Sequence, residues 1–167
     1  MKNLLVAVDF SDVTGRVVAT AEQLARAFGA KIWLLHVVAE VSPMASLGEV
    51  PFHWPTNALE SPERFSEEQR QMQTLLFGLK DKGLNVESVL IRGSAVIEIL
   101  AMTEQYEIDM IVMGSHGHGA WYELMVGTVS EGVLRHAPCP ALIVPSTKQM
   151  KQNVVKHERE APLATPF

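Results

Sequence analysis

The arrangement of apolar residues is the feature that most restricts the fold of this chain. Five short apolar runs, rich in β-branched residues, are separated mostly by patterns typical of amphipathic helices. Continuous apolar runs, as opposed to alternating ones, indicate strands that are covered on both faces. The runs are Leu4–Val8, Lys31–Val38, Val86–Ile91, Asp109–Met113 and Ala141–Val144. Strands and helices that alternate at these lengths predict right-handed crossovers and a mostly parallel sheet.

Four helices are predicted from apolar spacing and end signals. We expect Ser11 or Asp12 to cap the first helix, Gly29 to end it, Pro62 to begin the second and Ser94 to cap the third. The fourth covers about residues 128–136. The side chains expected to face the core are Val17, Ala21, Leu24 and Phe28 in the first helix, Phe65, Met72, Leu75, Leu76 and Leu79 in the second, Ile97, Leu100 and Ala101 in the third, and Val129, Val133 and Leu134 in the fourth.

The length and charge of the chain limit its partners. A chain of 167 residues with 47% hydrophobic and 20% charged residues fits one domain with a proper core. Its net charge of −5 supplies no positive field for a nucleic-acid backbone, so we expect no nucleic-acid partner. The first apolar run is too short for a signal peptide, and no run reaches the ~20 residues that span a bilayer. With Cys139 as the single cysteine, these features favour a cytoplasmic protein without membrane insertion.

Two segments fall outside the alternating pattern. Residues 42–60 contain three prolines and form a long insert after the second strand. Residues 148–167 are polar and proline-bearing, which is typical of a flexible tail. We therefore expect one domain over residues 1–147, with the tail beyond it.

Glycines directly after the fourth strand indicate a ligand site. Gly114 and Gly117 let the backbone turn sharply and approach a ligand without a Cβ clash. After nine intervening residues, Gly127-Thr128-Val129-Ser130 opens a helix whose free N–H groups and dipole favour an anion. A bare Gly-x-x-Gly is often a mere connection, but the full spacing is more specific and predicts a polyphosphate site.

Other nucleotide-binding and signalling classes fit the sequence poorly. The chain contains no Gly-x4-Gly-Lys-Ser/Thr, and no Gly-x-Gly-x-x-Gly follows the first strand. A flavodoxin needs a phosphate loop where Asp9-Phe10-Ser11-Asp12 stands, and a receiver domain needs an aspartate where Arg92-Gly93 stands. The histidines at positions 116 and 118 have no nearby carboxylate or cysteine, so metal binding by that pair is disfavoured.

The motif Gly114-x2-Gly117-x9-Gly127-Thr128 resembles the nucleotide motif of the ATP-binding branch of the universal stress protein family. The opening Leu5–Ser11, the segment Leu34–Val37 and the segment Ser130–Pro140 also resemble that family. The resemblance implies an open five-stranded parallel sheet in the order 3-2-1-4-5 with helices on both faces. That is a Rossmann-like fold, similar to the adenine nucleotide alpha hydrolases.

The resemblance also implies roles for particular residues. Asp9, after strand residues Ala7 and Val8, would contact the nucleoside, unless it only caps the following helix. The backbone of Val37 would meet adenine. The residues implied to line the ribose and phosphates are Met113, Gly114, His116 and Gly117, and those implied to hold the phosphate chain are Gly127, Thr128, Val129 and Ser130. The ligand would be ATP, or AMP or ADP, with Mg²⁺ or Mn²⁺ bound through the phosphates.

The function implied is that of a nucleotide-linked stress-response or regulatory switch. The alternatives are a non-catalytic protein-interaction module of the same fold and a slow ATPase. Beyond Asp9 and the loop histidines, no general base and nucleophile can be assigned, so hydrolysis is expected to be slow if it occurs. In the order 3-2-1-4-5 the last strand, Ala141–Val144, lies at an edge and is almost wholly apolar. An apolar edge favours pairing with another strand, so a homodimer through this strand is expected, beside a protein partner that the sequence does not identify.

The glycine motif generates a direct prediction. Gly117→Val or Gly127→Val should abolish ATP binding, because a branched Cβ would occupy the phosphate path and restrict the backbone. Calorimetry with ATP and Mg²⁺ checks this, with circular dichroism as the control for folding. A folded variant that binds ATP normally would show that the phosphates lie elsewhere.

Overall fold

The computed structural model describes residues 1–39, 62–115 and 128–146. The predicted insert at 42–60, the predicted tail at 148–167 and the domain limit at residue 147 lie outside these ranges. The elements in chain order are β1 (Asn3–Ala7), α1 (Thr14–Phe28), β2 (Lys31–Ala39), α2 (Pro62–Lys80), β3 (Val86–Gly93), α3 (Ala95–Gln105), β4 (Met110–Gly114), α4 (Thr128–His136) and β5 (Ala141–Val144). No helix within the described ranges is long and apolar enough to cross a bilayer.

The strands form one parallel sheet in the order β3-β2-β1-β4-β5. This confirms the predicted fold class and strand order. All five strands lie within two residues of the predicted runs, because continuous apolar stretches mark strands buried on both faces. β1 is the central strand, and its residues Leu4, Leu5 and Val6 have no exposed surface.

The helices cover the two faces of the sheet in pairs. α1 and α2 pack on the face that carries Leu4 and Val6, while α3 and α4 pack on the face that carries Leu5 and Leu35. The chain therefore leaves β1 towards β2 on one face and leaves β4 towards β5 on the other. The connections diverge between two neighbouring strands, which opens a crevice at their carboxyl ends.

The helix ends follow the sequence signals only in part. Gly29 ends α1 in the left-handed conformation with φ 63°, as predicted. The prediction for the start of α1 was wrong, since Val13 occupies the N-cap position and makes no side-chain capping bond. The Ser11 carbonyl instead accepts from the backbone N–H of Thr14. Ser94 lies at the N-cap of α3, also without a side-chain bond.

The predicted inner face of α3 was wrong. Ile97 is 65% exposed, whereas Ile99, Met102 and Thr103 are buried. Apart from Glu98, the positions near Ile97 in this helix are apolar, so the sequence spacing does not define the angle of the buried stripe. Phe28 in α1 and Leu134 in α4 are likewise exposed, at 57% and 47%, because each lies in the last turn of its helix, where the core ends.

A glycine inside α4 allows α3 and α4 to pack closely. A Cβ built on Gly132 would lie 2.8 Å from a γ-methyl of Val96 in α3. Real Cβ atoms do not approach so closely, so a larger residue here would push the two helices apart. Since α4 borders the crevice, this contact also sets the position of one side of the candidate site.

The orientation of α3 about its own axis can be tested by making the same substitution at two positions. Ile99→Ala should lower the free energy of unfolding by about 2–4 kcal/mol, because it leaves a cavity at a residue only 2% exposed. Ile97→Ala, the matched control on the exposed side, should change it by less than about 0.5 kcal/mol. Urea denaturation followed by circular dichroism measures both. Equal losses would contradict the observed helix rotation.

Candidate functional site

The crevice lies at the carboxyl ends of β1 and β4, which are neighbours in the sheet. Ala7 of β1 pairs with Met113 of β4, and both are the last or next-to-last residues of their strands. Asp9 follows β1, and Gly114 ends β4. The structure thus brings together Ala7, Val8, Asp9, Met113 and Gly114, five of the residues that the sequence analysis assigned to the site.

The Asp9 carboxylate organises the turn that leads into α1. Its Oδ1 atom accepts hydrogen bonds from the backbone N–H of Ser11 at 3.1 Å, the Ser11 hydroxyl at 2.6 Å and the Thr14 hydroxyl at 3.4 Å. None of these bonds reaches a backbone N–H of α1, whose N-cap residue Val13 has no side-chain capping bond, so Asp9 holds the turn before the helix and does not cap the helix. All three bonds use Oδ1, and no described residue bonds Oδ2. One carboxylate oxygen builds the turn, and the other remains as an acceptor for a ligand hydroxyl or a cation.

Phe10 gives the same turn an unusual backbone conformation. Its φ is 60°, in the left-handed region that non-glycine residues seldom occupy. Its ring packs against the His36 imidazole of β2 with the ring centroids 4.4 Å apart. His36 Nδ1 lies 2.7 Å from the Val8 carbonyl oxygen, and the Val8 N–H donates to the Leu35 carbonyl. Contacts with β2 therefore hold the backbone on both sides of Asp9. A strained backbone conformation persists only when surrounding contacts hold it in this way.

The β4 side of the crevice is tied to α4 by a buried hydroxyl. Ser130 is 3% exposed, and its Oγ donates to the Gly114 carbonyl oxygen at 2.8 Å. The sequence analysis assigned the Ser130 hydroxyl to a phosphate, whereas the structure uses it to fix the first turn of α4 to the end of β4. The backbone N–H groups at the start of α4, from Thr128 onward, have no partners within the helix and remain donors for an anion.

The other predicted site residues lie partly outside the crevice or outside the described residues. Val37 in β2 lies two residues beyond Leu35, the partner of Ala7, so it stands level with Asp9 one strand away. Val129 packs against the core on the α3/α4 face. His116, Gly117, Gly127 and the side chain of Thr128 lie outside the described residues. Within the described ranges, no group of three His, Cys, Asp or Glu side chains could hold a metal ion.

The sequence analysis missed several polar residues around the crevice. Ser11 and Thr14 had a local signal, because a carboxylate often bonds hydroxyls and N–H groups a few residues further on. Arg16 donates to the Pro145 carbonyl oxygen just after β5 and so ties α1 to that edge of the sheet. Glu68 of α2, buried beside His36, had no signal at all, since a helical glutamate is usually exposed.

Cys139 lies away from the crevice, at the amino end of β5. Burial raises the pKa of its thiol, and the Asp109 carboxylate raises it further. A raised pKa keeps the side chain as the neutral thiol, which is the weaker nucleophile. Cys139 therefore serves as a packing residue on the α3/α4 face just before β5.

The strand order and the reversal of connections between β1 and β4 define an open, doubly wound α/β fold. The model of the universal stress protein family matches residues 1–145. Universal stress protein YxiE of Bacillus subtilis is 32% identical over 152 residues, covering 84% of this chain and 97% of that protein. The chain belongs to the universal stress protein family.

Solved structures agree with this assignment. The structure of MJ0577, a universal stress protein of Methanocaldococcus jannaschii, matches with a TM-score of 0.70 and 27% identity, over 86% of this chain and 95% of that one. A universal stress protein family protein from Arabidopsis thaliana, solved with AMP bound, matches with a TM-score of 0.59 and 21% identity. That match covers 88% of this chain and 93% of the Arabidopsis chain.

The turn at Asp9 predicts a local loss of stability on substitution. Asp9→Ala should lower the free energy of unfolding by about 1–2 kcal/mol, because the Ser11 N–H and two hydroxyls lose their acceptor. Asp12→Ala, at an exposed position in the same turn, is the matched control and should cost less than about 0.5 kcal/mol. Thermal and urea unfolding measure the difference. Equal effects would show that the Oδ1 bonds do not stabilise the turn.

Proposed function

We propose that this protein binds ATP at the crevice between β1 and β4 and acts as a nucleotide-linked regulatory switch in a stress response. The observation that carries the proposal is the pairing of two features across the crevice. No described residue bonds Asp9 Oδ2, and the first N–H groups of α4 have no partner within that helix. A polyphosphate nucleoside offers both a hydroxyl donor and an anionic chain to such a pair.

Each part of the ligand has a complementary group in this arrangement. Asp9 Oδ2 accepts a hydrogen bond from a ribose hydroxyl, and the main chain at Val37 offers donor and acceptor groups to the adenine edge. The phosphates lie against the glycine turn after Gly114 and against the N–H groups at the start of α4. With a net charge of −5, the protein needs these local donors, and a Mg²⁺ or Mn²⁺ ion bound through the phosphates reduces the remaining repulsion.

The AMP bound in the Arabidopsis protein supports the choice of an adenine nucleotide. That protein is 21% identical to this chain, so the shared property is the fold and its crevice. ATP is preferred to AMP or ADP here because the sequence carries a second anion site, Gly127-Thr128, beyond the first glycine turn.

Binding is favoured over rapid hydrolysis. Asp9, the carboxylate at the crevice among the described residues, has an oxygen committed to three hydrogen bonds within its own turn. A group held in this way orients a ligand better than it moves a proton to or from water. We therefore place the protein among nucleotide-binding regulators of the cytoplasm, with slow ATPase activity or a purely protein-binding role as alternatives.

We also propose a homodimer through β5. The structure has β5 at one edge of the sheet, paired on one side with β4. Leu142 is 37% exposed, and the strand carries no charged side chain to prevent pairing. Antiparallel pairing of two β5 strands about a two-fold axis would cover both edges, and Pro145, which has no N–H, would end the pairing.

The ATP site is tested with variants that distinguish the roles of the two carboxylate oxygens of Asp9. Asp9→Asn keeps an acceptor for the turn but replaces the other oxygen with a donor, so ATP should bind about tenfold more weakly or worse while stability changes little. Asp9→Ala should lose both affinity and stability. Calorimetry with ATP and Mg²⁺ measures binding, with Asp12→Ala as the control that binds as wild type. Unchanged affinity in both Asp9 variants would place the nucleoside elsewhere, and no binding by wild type would refute the proposed function.

The dimer is tested by charge at the β5 edge. Leu142→Lys, at an exposed position, should shift the protein towards monomer in sedimentation experiments at micromolar concentration. Val144→Asp is a poor test because Val144 is 5% exposed and packs in the core. Leu134→Lys in α4, also exposed, is the matched control and should leave the dimer intact. A wild-type monomer would contradict the proposal.

A further inference from the structure

A buried pair of titratable side chains lies directly behind the Asp9 turn. His36 in β2 is 6% exposed and Glu68 in α2 is 8% exposed. Glu68 Oε2 lies 3.7 Å from His36 Nε2, within ion-pair distance. Ionisable groups are seldom buried this deeply without a specific interaction. His36 Nδ1 and the ring already hold the Asp9 turn, whereas the contact between Nε2 and Glu68 has no role in the site as described.

The hydrogen bond on the other ring nitrogen determines the protonation of His36. Nδ1 lies 2.7 Å from the Val8 carbonyl oxygen, which can only accept, so Nδ1 carries a proton and donates it. If the ring is neutral, Nε2 then presents a lone pair. That lone pair faces a carboxylate oxygen, and no described residue donates to Nε2. Glu68 therefore borders the ring on its Nε2 side, opposite the bond to Val8.

Two contacts of His36 reach the segment that follows β1, one on each side of Asp9. Its Nδ1–H bonds the carbonyl of Val8, the residue before Asp9, and its ring packs against Phe10, the residue after it. Phe10 has the positive φ that the turn needs. The imidazole thus fixes the backbone on both sides of the carboxylate, and Glu68 fixes the imidazole from α2.

We propose that His36 is a positioning residue for the nucleotide crevice: it holds the Asp9 turn, and Glu68 orients its ring from α2. This inference rests on the proposed function, in which Asp9 contacts the nucleoside. Without the imidazole, the Val8 carbonyl loses its donor and the Phe10 ring loses its packing partner, so the turn loosens and nucleotide binding weakens.

Other charged groups on the elements around His36, among the side chains that the structure describes, have contacts of their own. On α2, Glu67 and Arg70 pair with each other at 2.7 Å and are exposed. On β3, the Arg92 guanidinium lies over the Phe65 ring at 4.7 Å. After β1, Asp9 Oδ1 is directed to Ser11 and Thr14. Among the described residues, Glu68 is the charged group in ion-pair contact with His36.

The first experiment uses the nucleotide-free protein, so its result does not depend on ATP binding. Long-range ¹H–¹⁵N correlation spectra of histidine-labelled protein should show a proton on His36 Nδ1. Hydrogen exchange at the Ser11 amide should be about tenfold faster in His36→Leu, which lacks the donor, and unchanged in His36→Asn, whose amide nitrogen takes the place of Nδ1. A neutral ring with the proton on Nε2, or equal exchange in all three proteins, would overturn the proposal.

The second experiment measures ATP affinity by calorimetry. His36→Leu should bind about tenfold more weakly than the wild type, whereas His36→Asn, which keeps a donor for Val8, should bind as the wild type does. Glu68→Ala, which removes the carboxylate beside Nε2, should also bind more weakly. Glu67→Ala, the same change one residue earlier at an exposed position, is the control and should follow the wild type.

The outcomes separate this inference from the proposed function. If the wild type binds no ATP while the exchange results hold, the proposed function fails and the positioning of the turn stands. If ATP binds but His36→Leu matches the wild type, His36 has no positioning role, and if Glu68→Ala matches Glu67→Ala, Glu68 has none. Should His36→Leu fail to fold, the comparison of Glu68→Ala with Glu67→Ala decides the question.

Discussion

The reversal of strand order between β1 and β4 is the constraint on which the rest of this molecule depends. Both strands are buried on both faces, so their connections must run over opposite layers of helices. Within the part of the chain that the structure describes, that divergence opens a crevice at the carboxyl ends of the two strands. A polar ligand can reach main-chain groups there without disturbing the core, which explains why ligand sites in open α/β sheets gather at this place.

The turn after β1 shows how such an opening is made rigid. A carboxylate, two hydroxyls and a buried histidine hold three consecutive residues, one of them in a left-handed conformation. These bonds are local and need no rearrangement of the hydrophobic core, yet they fix the direction of the Asp9 carboxylate. A loosely held carboxylate would lose conformational entropy when the ligand binds, which would weaken binding. The Asp9 carboxylate is already ordered before the ligand arrives. The same logic applies to Ser130, which fixes α4 to β4 so that its N–H groups face the crevice.

The sequence predicted the fold well because the strands are continuous apolar runs, and a run such as Ile32–Leu35 has no plausible alternative to a buried strand. It predicted the buried face of α3 poorly because that helix is apolar on several sides, so only packing against the sheet selects Ile99 over Ile97. Asp9 was found because it stands at a strand end. Glu68 was not, since its partner His36 is far away in the chain and only the fold brings them together.

The central claim is that an adenine nucleotide occupies the crevice between β1 and β4. Chemical-shift mapping of the ¹⁵N-labelled protein during titration with ATP and Mg²⁺ tests this most directly. The account predicts that the largest amide shifts cluster at the carboxyl ends of β1, β2 and β4, around Asp9, Val37 and Gly114, and at the start of α4. Shifts confined to the amino ends of the strands, or no saturable shifts at millimolar ATP, would contradict it.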